Sequence, residues 1–260
     1  MSTQNLHMYR RPEALLNVRT HYCAGCGHGI IHKLFAEALG ELNIREETIV
    51  VAPVGCSVLL YNYINVDGLE AAHGRTPAVA TGVKRAQPNR IVVSYQGDGD
   101  LLAIGTGETL HAANRGENIT VIFVNNANYG MTGGQMAPTT LVDQRTLTSP
   151  KGRNPQETGY PIRACELLST LEAPAYIERV SLHNPGAVKK TKKAIVKALQ
   201  YQKEGRGYSF VEILSMCPTN WGIEPAAGAD WIKTSMVPWF PHKVFRDRPA
   251  EAAAAGGKAS

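Results

Sequence analysis

IVVSYQGDGDLLAIGTGETLHAANRGENITVIFVNN, residues 91–126, is the stretch that decides the fold. An apolar run at 91–93 predicts a strand that leads to a glycine-rich turn at 97–100. Residues 102–115 then carry apolar side chains at helical spacing, and a second apolar run follows at 121–124. This order predicts a right-handed crossover, which puts the turn at the carboxyl edge of a parallel sheet, where α/β folds bind ligands.

Oxygen ligands follow both of these predicted strands. Asp98 supplies a carboxylate after the first, Asn126 an amide oxygen after the second, and the backbone carbonyl of Asn128 would add a third. Octahedral Mg²⁺ would take its other ligands from phosphate oxygens and water, so the pattern predicts a diphosphate held through Mg²⁺. For Gly97-Asp98-Gly99 alone, a glycine-rich turn with two capping asparagines is the better interpretation, and the whole constellation favours the metal.

Further residues are predicted to lie around the same ligand. Thr132 follows in the long loop after the second strand, where its hydroxyl would reach a phosphate oxygen or the surroundings of the metal. Asp100 is acidic beside an anion, so we expect it to support the residues that hold the ligand, or to accept a bond from a backbone N–H, rather than contact phosphate. The predicted cofactor-binding residues are Ser57, Gly97, Asp98, Gly99, Asn126 and Thr132.

Composition indicates one globular α/β domain, because 43% of the 260 residues are hydrophobic and only 19% are charged. No apolar stretch reaches the roughly 18 residues of a membrane helix, and residues 1–20 lack the apolar segment of a signal peptide, so we expect a cytoplasmic protein with no membrane span. The net charge of +5 is modest. The lysine-rich run at 189–197 is interpreted as the solvated face of a helix, not as a nucleic-acid site.

Periodicity predicts the remaining elements. The predicted strands are 49–54, 91–93, 121–124, 176–180 and 210–214, with the last of these the final strand of the chain. The predicted helices are 30–39, 78–85, 102–115, 161–168 and 185–202. This alternation predicts an α/β fold with a mostly parallel sheet and helices on both faces. We expect an N-terminal arm at 1–20, one domain at 21–247 and a flexible tail at 248–260.

Four cysteines lie at turns or strand ends that we expect on one edge of the sheet: Cys23, Cys26, Cys56 and Cys217. Three interpretations are open for them, namely a structural zinc site, a thiol–disulfide pair at Cys23 and Cys26, and an iron–sulfur cluster. Composition does not separate zinc from a [4Fe–4S] cluster, because both accept four thiolates. Cys165 lies on an apolar helix and is predicted to be a small buried apolar residue.

Several motifs carry a resemblance to a known family. GDG at 97–99 followed by NN at 125–126 resembles the diphosphate motif of thiamine diphosphate enzymes, and NNANYGMTGGQMAPTT at 125–140 narrows it. Together with CAGCGHG at 23–29, GC at 55–56 and CP at 217–218, these motifs resemble the thiamine-binding β subunit of 2-oxoacid:ferredoxin oxidoreductases. The resemblance extends over nearly the whole chain, from residue 22 to about residue 221.

The resemblance implies a thiamine diphosphate-binding fold with Mg²⁺ and a [4Fe–4S] cluster on Cys23, Cys26, Cys56 and Cys217. It implies CoA-dependent oxidative decarboxylation of a 2-oxoacid to an acyl-CoA and CO₂, with electrons passed through the cluster to ferredoxin. His73, in the sequence HGR, resembles the family's histidine next to the cofactor and is the candidate catalytic residue.

The resemblance also implies partner subunits. Nothing in this sequence looks like the second thiamine-binding domain, so we expect activity only with an α subunit that carries it, together with a γ subunit or domain and, in some assemblies, a ferredoxin-like subunit. Gly133 stands where some archaeal relatives carry lysine, a residue suited to a substrate carboxylate. We therefore expect a branched 2-oxoacid such as 2-oxoisovalerate, ahead of 2-oxoglutarate and pyruvate.

Two other functions are open from the sequence. A non-redox thiamine diphosphate decarboxylase or synthase subunit with a structural zinc site would keep the Mg²⁺ motif but leave the convergent thiols without an electron-transfer role. A zinc-stabilised binding or assembly module would explain the four thiols as zinc ligands, but it would assign no function to the motif formed by GDG at 97–99 and NN at 125–126. Metal content of the thiols and binding of thiamine diphosphate separate these alternatives.

Overall fold

A computed structural model describes residues 10–248. The expected N-terminal arm lies outside the described residues up to residue 9, and the expected tail lies outside them from residue 249 onward. The described part of the arm packs against the domain, because Ala14 is buried and Leu15 forms an antiparallel bridge with Ile64.

Strands form one sheet in the described part of the chain: β1 Thr48–Ala52, β2 Asp67–Glu70, β3 Ile91–Gly97, β4 Thr120–Asn125, β5 Tyr176–Ser181, β6 Ser209–Leu214 and β7 Lys243–Asp247. Their order is β2-β1-β3-β4-β6-β5-β7. Strands β1 to β6 run parallel, and β7 pairs antiparallel with β5 at one edge. The carboxyl ends of β3 and β4 therefore lie side by side near the middle of the sheet.

The sequence pattern does not reveal β2 or β7, and the expectation that residues 210–214 form the final strand is wrong. All four residues of β2 are exposed, and the residues of β7 are exposed or half-buried. Both strands lie at edges of the sheet, so neither carries the continuous apolar run that marks a strand buried on both faces.

Helices connect the strands: α1 His28–Leu42, α2 Thr76–Ala86, α3 Thr106–Asn114, α4 Pro155–Thr158, α5 Ala164–Ser169, α6 Pro185–Lys203, α7 Pro218–Trp221, α8 Gly228–Trp231 and α9 Val237–Trp239. Short 3₁₀ helices lie at Arg45–Glu47, Val58–Asn62 and Pro225–Ala227, and π-helical turns at Asp100–Ile104 and Ile232–Met236. Within residues 10–248, no helix combines the length and the apolar character needed to cross a bilayer.

Two hydrophobic cores lie on opposite faces of the sheet. Helices α1 and α6 cover one face, where Val93 and Ile122 pack with Ile195. Helices α2, α3 and α5 cover the other, where Val92 and Val121 are buried. Neighbouring residues of a strand point to opposite faces, so the apolar runs of β3 and β4 fill both cores. The mostly parallel α/β fold with helices on both faces is thus confirmed.

A π-helical turn at Asp100–Ile104 replaces the first part of the expected helix at 102–115. It closes at Gly105, whose N–H donates to the Asp100 carbonyl oxygen at 2.9 Å. A Cβ at Gly105 would lie 2.7 Å from the carbonyl oxygens of both Asp100 and Gly74, so only glycine allows these backbones to approach. This contact holds the loop that carries His73 against the end of β3.

Helix α6 has one apolar face that packs in the core and an opposite face that carries exposed lysines. Ile195 is fully buried, whereas Lys193 is exposed on the same helix. We expect Ile195→Ala to lower the free energy of unfolding by about 2–5 kcal/mol, because it leaves a cavity against the sheet. Lys193→Ala should change it by less than about 0.5 kcal/mol. Urea denaturation followed by circular dichroism measures both, and similar losses in the two variants would contradict this assignment of the faces.

Candidate active site

The carboxylate of Asp98 lies between the ends of β3 and β4. It is buried, and Oδ1 accepts the N–H of Gly99 at 2.8 Å. Its other oxygen accepts the N–H of Asn128 at 3.2 Å and the hydroxyl of Thr139 at 2.6 Å. Burial raises the pKa of Asp98 to about 6, although these hydrogen bonds act in the opposite direction. A cation beside this group would favour its ionised form.

The side-chain oxygen of Asn126 lacks a hydrogen-bond partner among the described residues, although it is fully buried. Buried acceptors of this kind are rare in folded proteins, because the lost hydration has to be replaced. The backbone oxygen of Asn126, in contrast, accepts bonds from Asn128 Nδ2 at 2.8 Å and Trp221 Nε1 at 2.9 Å. The unpartnered oxygen is therefore suited to a ligand from outside the chain, such as a cation.

A cavity of about 110 Å³ collects the residues that the sequence analysis assigned to Mg²⁺ and the diphosphate, together with His73: Ser57, His73, Gly97, Asp98, Gly99, Asn126, Asn128 and Thr132. Gly99 has to be glycine here, because a Cβ would lie 2.1 Å from the Tyr129 ring. The Thr132 hydroxyl donates to Gln135 within the same loop at 2.5 Å. The structure thus brings the strand ends and the long loop together around one space.

His73 is held by Asp100. Nδ1 of His73 lies 2.5 Å from Asp100 Oδ1, which also accepts the backbone N–H of Gly74 at 2.7 Å. The second oxygen of Asp100 accepts Gln96 Nε2 at 2.7 Å, and Gln96 in turn accepts the Ser94 hydroxyl at 2.6 Å. The expected bond from a backbone N–H to Asp100 is thus confirmed. His73 lines the cavity, and because these hydrogen bonds use its Nδ1, its Nε2 is the ring nitrogen left to contact a ligand.

A second cavity, of about 160 Å³, is lined by all four cysteines of the predicted cluster, Cys23, Cys26, Cys56 and Cys217. Burial raises the pKa of Cys26 and of Cys56 to about 12, and it also raises that of Cys217. Burial therefore opposes ionisation of these three thiols unless a bound group supplies positive charge. No group of three or more His, Cys, Asp or Glu side chains within residues 10–248 is arranged to hold a single metal ion.

Uncharged aromatic rings and histidines pack beside these thiols. Tyr22 stacks on His28 with ring centroids 4.9 Å apart, and its hydroxyl donates to the backbone oxygen of Cys56 at 3.1 Å. Nδ1 of His28 lies 2.6 Å from the Tyr95 hydroxyl. Burial, with His21 nearby, lowers the pKa of His28 to about 3. His28 is therefore neutral at physiological pH and brings no positive charge to the thiols.

The two cavities are adjacent. Cys56, Asn126, Gly130 and Met131 line both of them. A Cβ at Gly130 would lie 3.1 Å from the Cys56 sulfur, so a larger residue would crowd the wall between the cavities. A group bound in one cavity is thus separated from a group bound in the other by a single layer of residues.

Sequence reasoning missed two residues that support the site. Thr139 bonds Asp98 from the long loop, and Arg153 donates to six backbone carbonyl oxygens, three in that loop and three at the end of α4 and just after it. These oxygens belong to Ala137, Pro138, Thr140, Thr158, Gly159 and Tyr160. Neither Arg153 nor Thr139 stands in a periodic pattern that would have identified these contacts.

Comparisons with known proteins agree with this geometry. The family model described as thiamine pyrophosphate enzyme, C-terminal TPP binding domain, matches residues 53–213. The 2-oxoglutarate synthase subunit KorB of Methanocaldococcus jannaschii is 38% identical over 215 residues, which are 82% of this chain and 74% of that protein. The chain belongs to the 2-oxoacid:ferredoxin oxidoreductase family.

Other members of the 2-oxoacid:ferredoxin oxidoreductase family are similar over most of the chain. The ketoisovalerate oxidoreductase subunit VorA of Methanothermobacter thermautotrophicus is 52% identical over 252 residues, 93% of this chain. The chain spans about half the length of that relative, 53%. The structure of a 2-oxoglutarate:ferredoxin oxidoreductase from Magnetococcus marinus, solved with 2-oxoglutarate, coenzyme A and succinyl-CoA, superimposes with a TM-score of 0.75 at 25% identity, covering 95% of this chain and 87% of that one.

We expect neutral His73 to be the Nδ1–H tautomer, because the Asp100 carboxylate can only accept a hydrogen bond. ¹⁵N spectra of histidine-labelled protein, with the signal assigned through His73→Asn, measure this. Asp100→Ala should increase the Nε2–H fraction, and Asp67→Ala, at the exposed edge strand, should leave it unchanged. An Nε2–H signal for His73 in the unaltered protein would contradict the observed contact.

Proposed function

We propose that this chain is the β subunit of a 2-oxoacid:ferredoxin oxidoreductase, which converts a 2-oxoacid and CoA to an acyl-CoA and CO₂ and passes the electrons through a [4Fe–4S] cluster to ferredoxin. One observation carries the proposal: the cavity for a diphosphate and the cavity of four thiols share a wall. A chain built for decarboxylation alone has no need of an electron acceptor at that position. Cytoplasmic location is part of the same proposal.

Asp98 and Asn126, with the backbone carbonyl of Asn128, would hold Mg²⁺ against the diphosphate. The unpartnered oxygen of Asn126 and the buried carboxylate of Asp98 supply the hard oxygen donors that this ion prefers. Ser57, Gly97, Gly99 and Thr132 line the space for phosphate oxygens. Bound thiamine diphosphate supplies the carbanion and electron-sink chemistry that removal of CO₂ from a 2-oxoacid requires.

Cys23, Cys26, Cys56 and Cys217 would hold the [4Fe–4S] cluster, which accepts electrons one at a time. A zinc ion with bonds of about 2.3 Å to sulfur needs thiolates only about 3.8 Å apart. The four thiols line one cavity of about 160 Å³, which has room for a group larger than a single ion. Cluster formation would offset the cost of ionising buried thiols.

His73 is the proposed catalytic residue. With Nδ1 committed to Asp100, Nε2 is left to accept a proton from, or donate one to, a group in the cavity. The backbone N–H of Gly74 bonds the same Asp100 oxygen. A movement of this loop away from Asp100 would therefore break two hydrogen bonds, that of Gly74 and that of the His73 ring. This arrangement fixes where a proton is handled relative to the diphosphate.

We propose a branched aliphatic 2-oxoacid, of the 2-oxoisovalerate type, as the substrate, with 2-oxoglutarate as the second candidate. Val54 and Met131 line the diphosphate cavity, and the residues among 10–248 that line it include no lysine or arginine that would pair with a second carboxylate. A Cβ at Gly133 would meet no atom within 4 Å, so this position leaves open space. Similarity to a ketoisovalerate oxidoreductase subunit supports the same choice.

The proposed partners are an α subunit with the second thiamine-binding domain, a γ subunit or domain, and in some assemblies a ferredoxin-like subunit. Large apolar residues are exposed around the carboxyl edge of the sheet: Val54 is 42% exposed, Ile104 46% and Met131 44%. Contiguous exposed apolar residues mark protein interfaces. A partner that covers this edge would close the cofactor cavity from outside.

The cluster is tested on the complex purified without oxygen, by iron and sulfide analysis and by electron paramagnetic resonance after reduction. We expect Cys56→Ala to lose about four iron atoms per copy of this chain, together with CoA-dependent reduction of ferredoxin. Cys165→Ala, which removes a buried thiol outside the site, should keep both. Unchanged iron in Cys56→Ala, or zinc in place of iron, would contradict the electron-transfer function.

Substrate choice is tested by kcat/KM for 2-oxoisovalerate, 2-oxoglutarate and pyruvate, with the first expected to be preferred at least about tenfold. Met131→Ala should lower kcat/KM for 2-oxoisovalerate about tenfold, because it removes apolar contact with the branched side chain of the substrate. The variant's kcat/KM for 2-oxoglutarate should stay nearly unchanged. Leu147→Ala is the matched control, since Leu147 is 66% exposed and outside the cavity. An equal loss for both substrates in Met131→Ala would contradict the proposed contact.

A further inference from the structure

Asn125, the last residue of β4, connects the ligand-bearing loop to a buried carboxylate. Its Nδ2 donates to Glu212 Oε1 at 2.8 Å, and its Oδ1 accepts the backbone N–H of Ala127 at 3.2 Å. All three residues are fully buried, and none of them lines the diphosphate cavity or the cysteine cavity. Asn125 thus acts on the site only through the loop that it holds.

Glu212, on β6, forms an ion pair with a buried guanidinium. Arg179 Nε, on β5, lies 2.8 Å from Glu212 Oε2, and neither side chain is exposed. Arg179 also donates to Glu166 Oε1 at 3.0 Å and lies over the rings of Phe240 and Phe245. Burial opposes its charge, but Glu212 and Glu166 raise the pKa of Arg179 above its usual value, so it remains a cation.

The Glu212 carboxylate fixes the direction of the Asn125 amide. A carboxylate only accepts hydrogen bonds, so the amide NH₂ has to face Glu212. The amide oxygen then faces the N–H of Ala127. The reverse orientation would place two acceptors together on one side and two donors together on the other. The ion pair on β5 and β6 therefore decides which atom Asn125 presents to the loop.

Ala127 requires this support because its φ of +57° lies in the left-handed region, where the Cβ of a non-glycine residue crowds the following carbonyl oxygen. Its N–H is held by Asn125, and its carbonyl oxygen accepts the Thr140 hydroxyl at 2.7 Å and Gln144 Nε2 at 3.1 Å. The strained residue is thus fixed on both sides of its Cα. Such strain persists only where the surrounding structure determines the conformation.

The bend at Ala127 sets the geometry of its two neighbours. On one side is Asn126, whose side-chain oxygen lacks a partner in the described structure. On the other is Asn128, whose N–H donates to the Asp98 carboxylate. If the bend relaxed to a right-handed or extended conformation, the side chain of Asn126 and the N–H of Asn128 would point away from their present positions.

We propose that Asn125, oriented by the buried Glu212–Arg179 pair, is a positioning residue for the cation of the diphosphate site. It stabilises the left-handed conformation of Ala127 and thereby presents the Asn126 oxygen to Mg²⁺. The inference rests on the proposed function, since it requires Mg²⁺ at Asp98 and Asn126. It adds three residues, none of which touches the ligand, to those that determine the affinity for the metal.

The test is a Mg²⁺ titration of thiamine diphosphate binding, by calorimetry, on the purified complex after removal of the metal with a chelator. We expect Asn125→Ala to raise the Mg²⁺ concentration for half-saturation about 10- to 100-fold, the usual loss on removing a group that orients a metal ligand. Adding Ala127→Gly should recover about fivefold, because glycine takes a positive φ without strain.

Val211→Ala is the matched control, because it truncates a core residue next to Glu212 on the opposite face of β6. It should lower the melting temperature without changing the Mg²⁺ requirement. Thr140→Val removes the hydroxyl that holds the Ala127 carbonyl oxygen and should weaken Mg²⁺ binding about fivefold. This milder variant keeps the test decisive if Asn125→Ala does not fold.

The outcomes separate this inference from the proposed function. An unaltered complex that binds no thiamine diphosphate in the presence of Mg²⁺ would overturn both. Binding by the unaltered complex, with the same Mg²⁺ requirement in Asn125→Ala or in Thr140→Val, would overturn the inference alone. An equal loss in Val211→Ala, or no recovery on adding Ala127→Gly, would also overturn it, because the effect would then be general destabilisation.

Discussion

A carboxylate buried between two parallel strand ends is the constraint on which the rest of the structure depends. Asp98 accepts hydrogen bonds from three segments: its own turn at Gly99, the start of the long loop after β4 at Asn128, and the middle of that loop at Thr139. Burial still raises its pKa to about 6, so these bonds only partly replace its lost hydration. A cation would supply the remainder. Each of the three segments therefore has to be held in place relative to one point.

Buried charge holds two of those segments. Arg153 joins the middle of the long loop, at Pro138 and Thr140, to the residues after α4 through backbone carbonyl oxygens. Arg179 acts from the opposite side of β6, through Glu212, on the loop after β4. In both cases a planar guanidinium with several donors satisfies groups that would otherwise be buried without partners.

The thiols pose a different electrostatic problem. Tyr22 packs beside them, and burial keeps their neighbour His28 neutral, so neither side chain offsets the cost of ionising the thiols. A bound iron–sulfur cluster would supply the positive charge itself. Cys56 follows β1 and Asn126 follows β4, and both strands end at the same edge of the sheet as β3. Parallel topology thus places the cysteine cavity next to the cavity around Asp98 and Asn126.

The sequence by itself determined the central crossover and the mostly parallel sheet, because apolar periodicity marks their strands and helices. It also determined the oxygen donors at Asp98 and Asn126 and the four cysteines that share a cavity, because these residues follow predicted strands or lie at predicted turns. The sequence did not predict the edge strands β2 and β7, because strands exposed to solvent lack a continuous apolar run. Only the tertiary structure decided the contacts of Thr139 with Asp98 and of Glu212 with Asn125, residues 41 and 87 positions apart in each pair. Such contacts depend on how strands and loops are placed in space, and no local pattern encodes them.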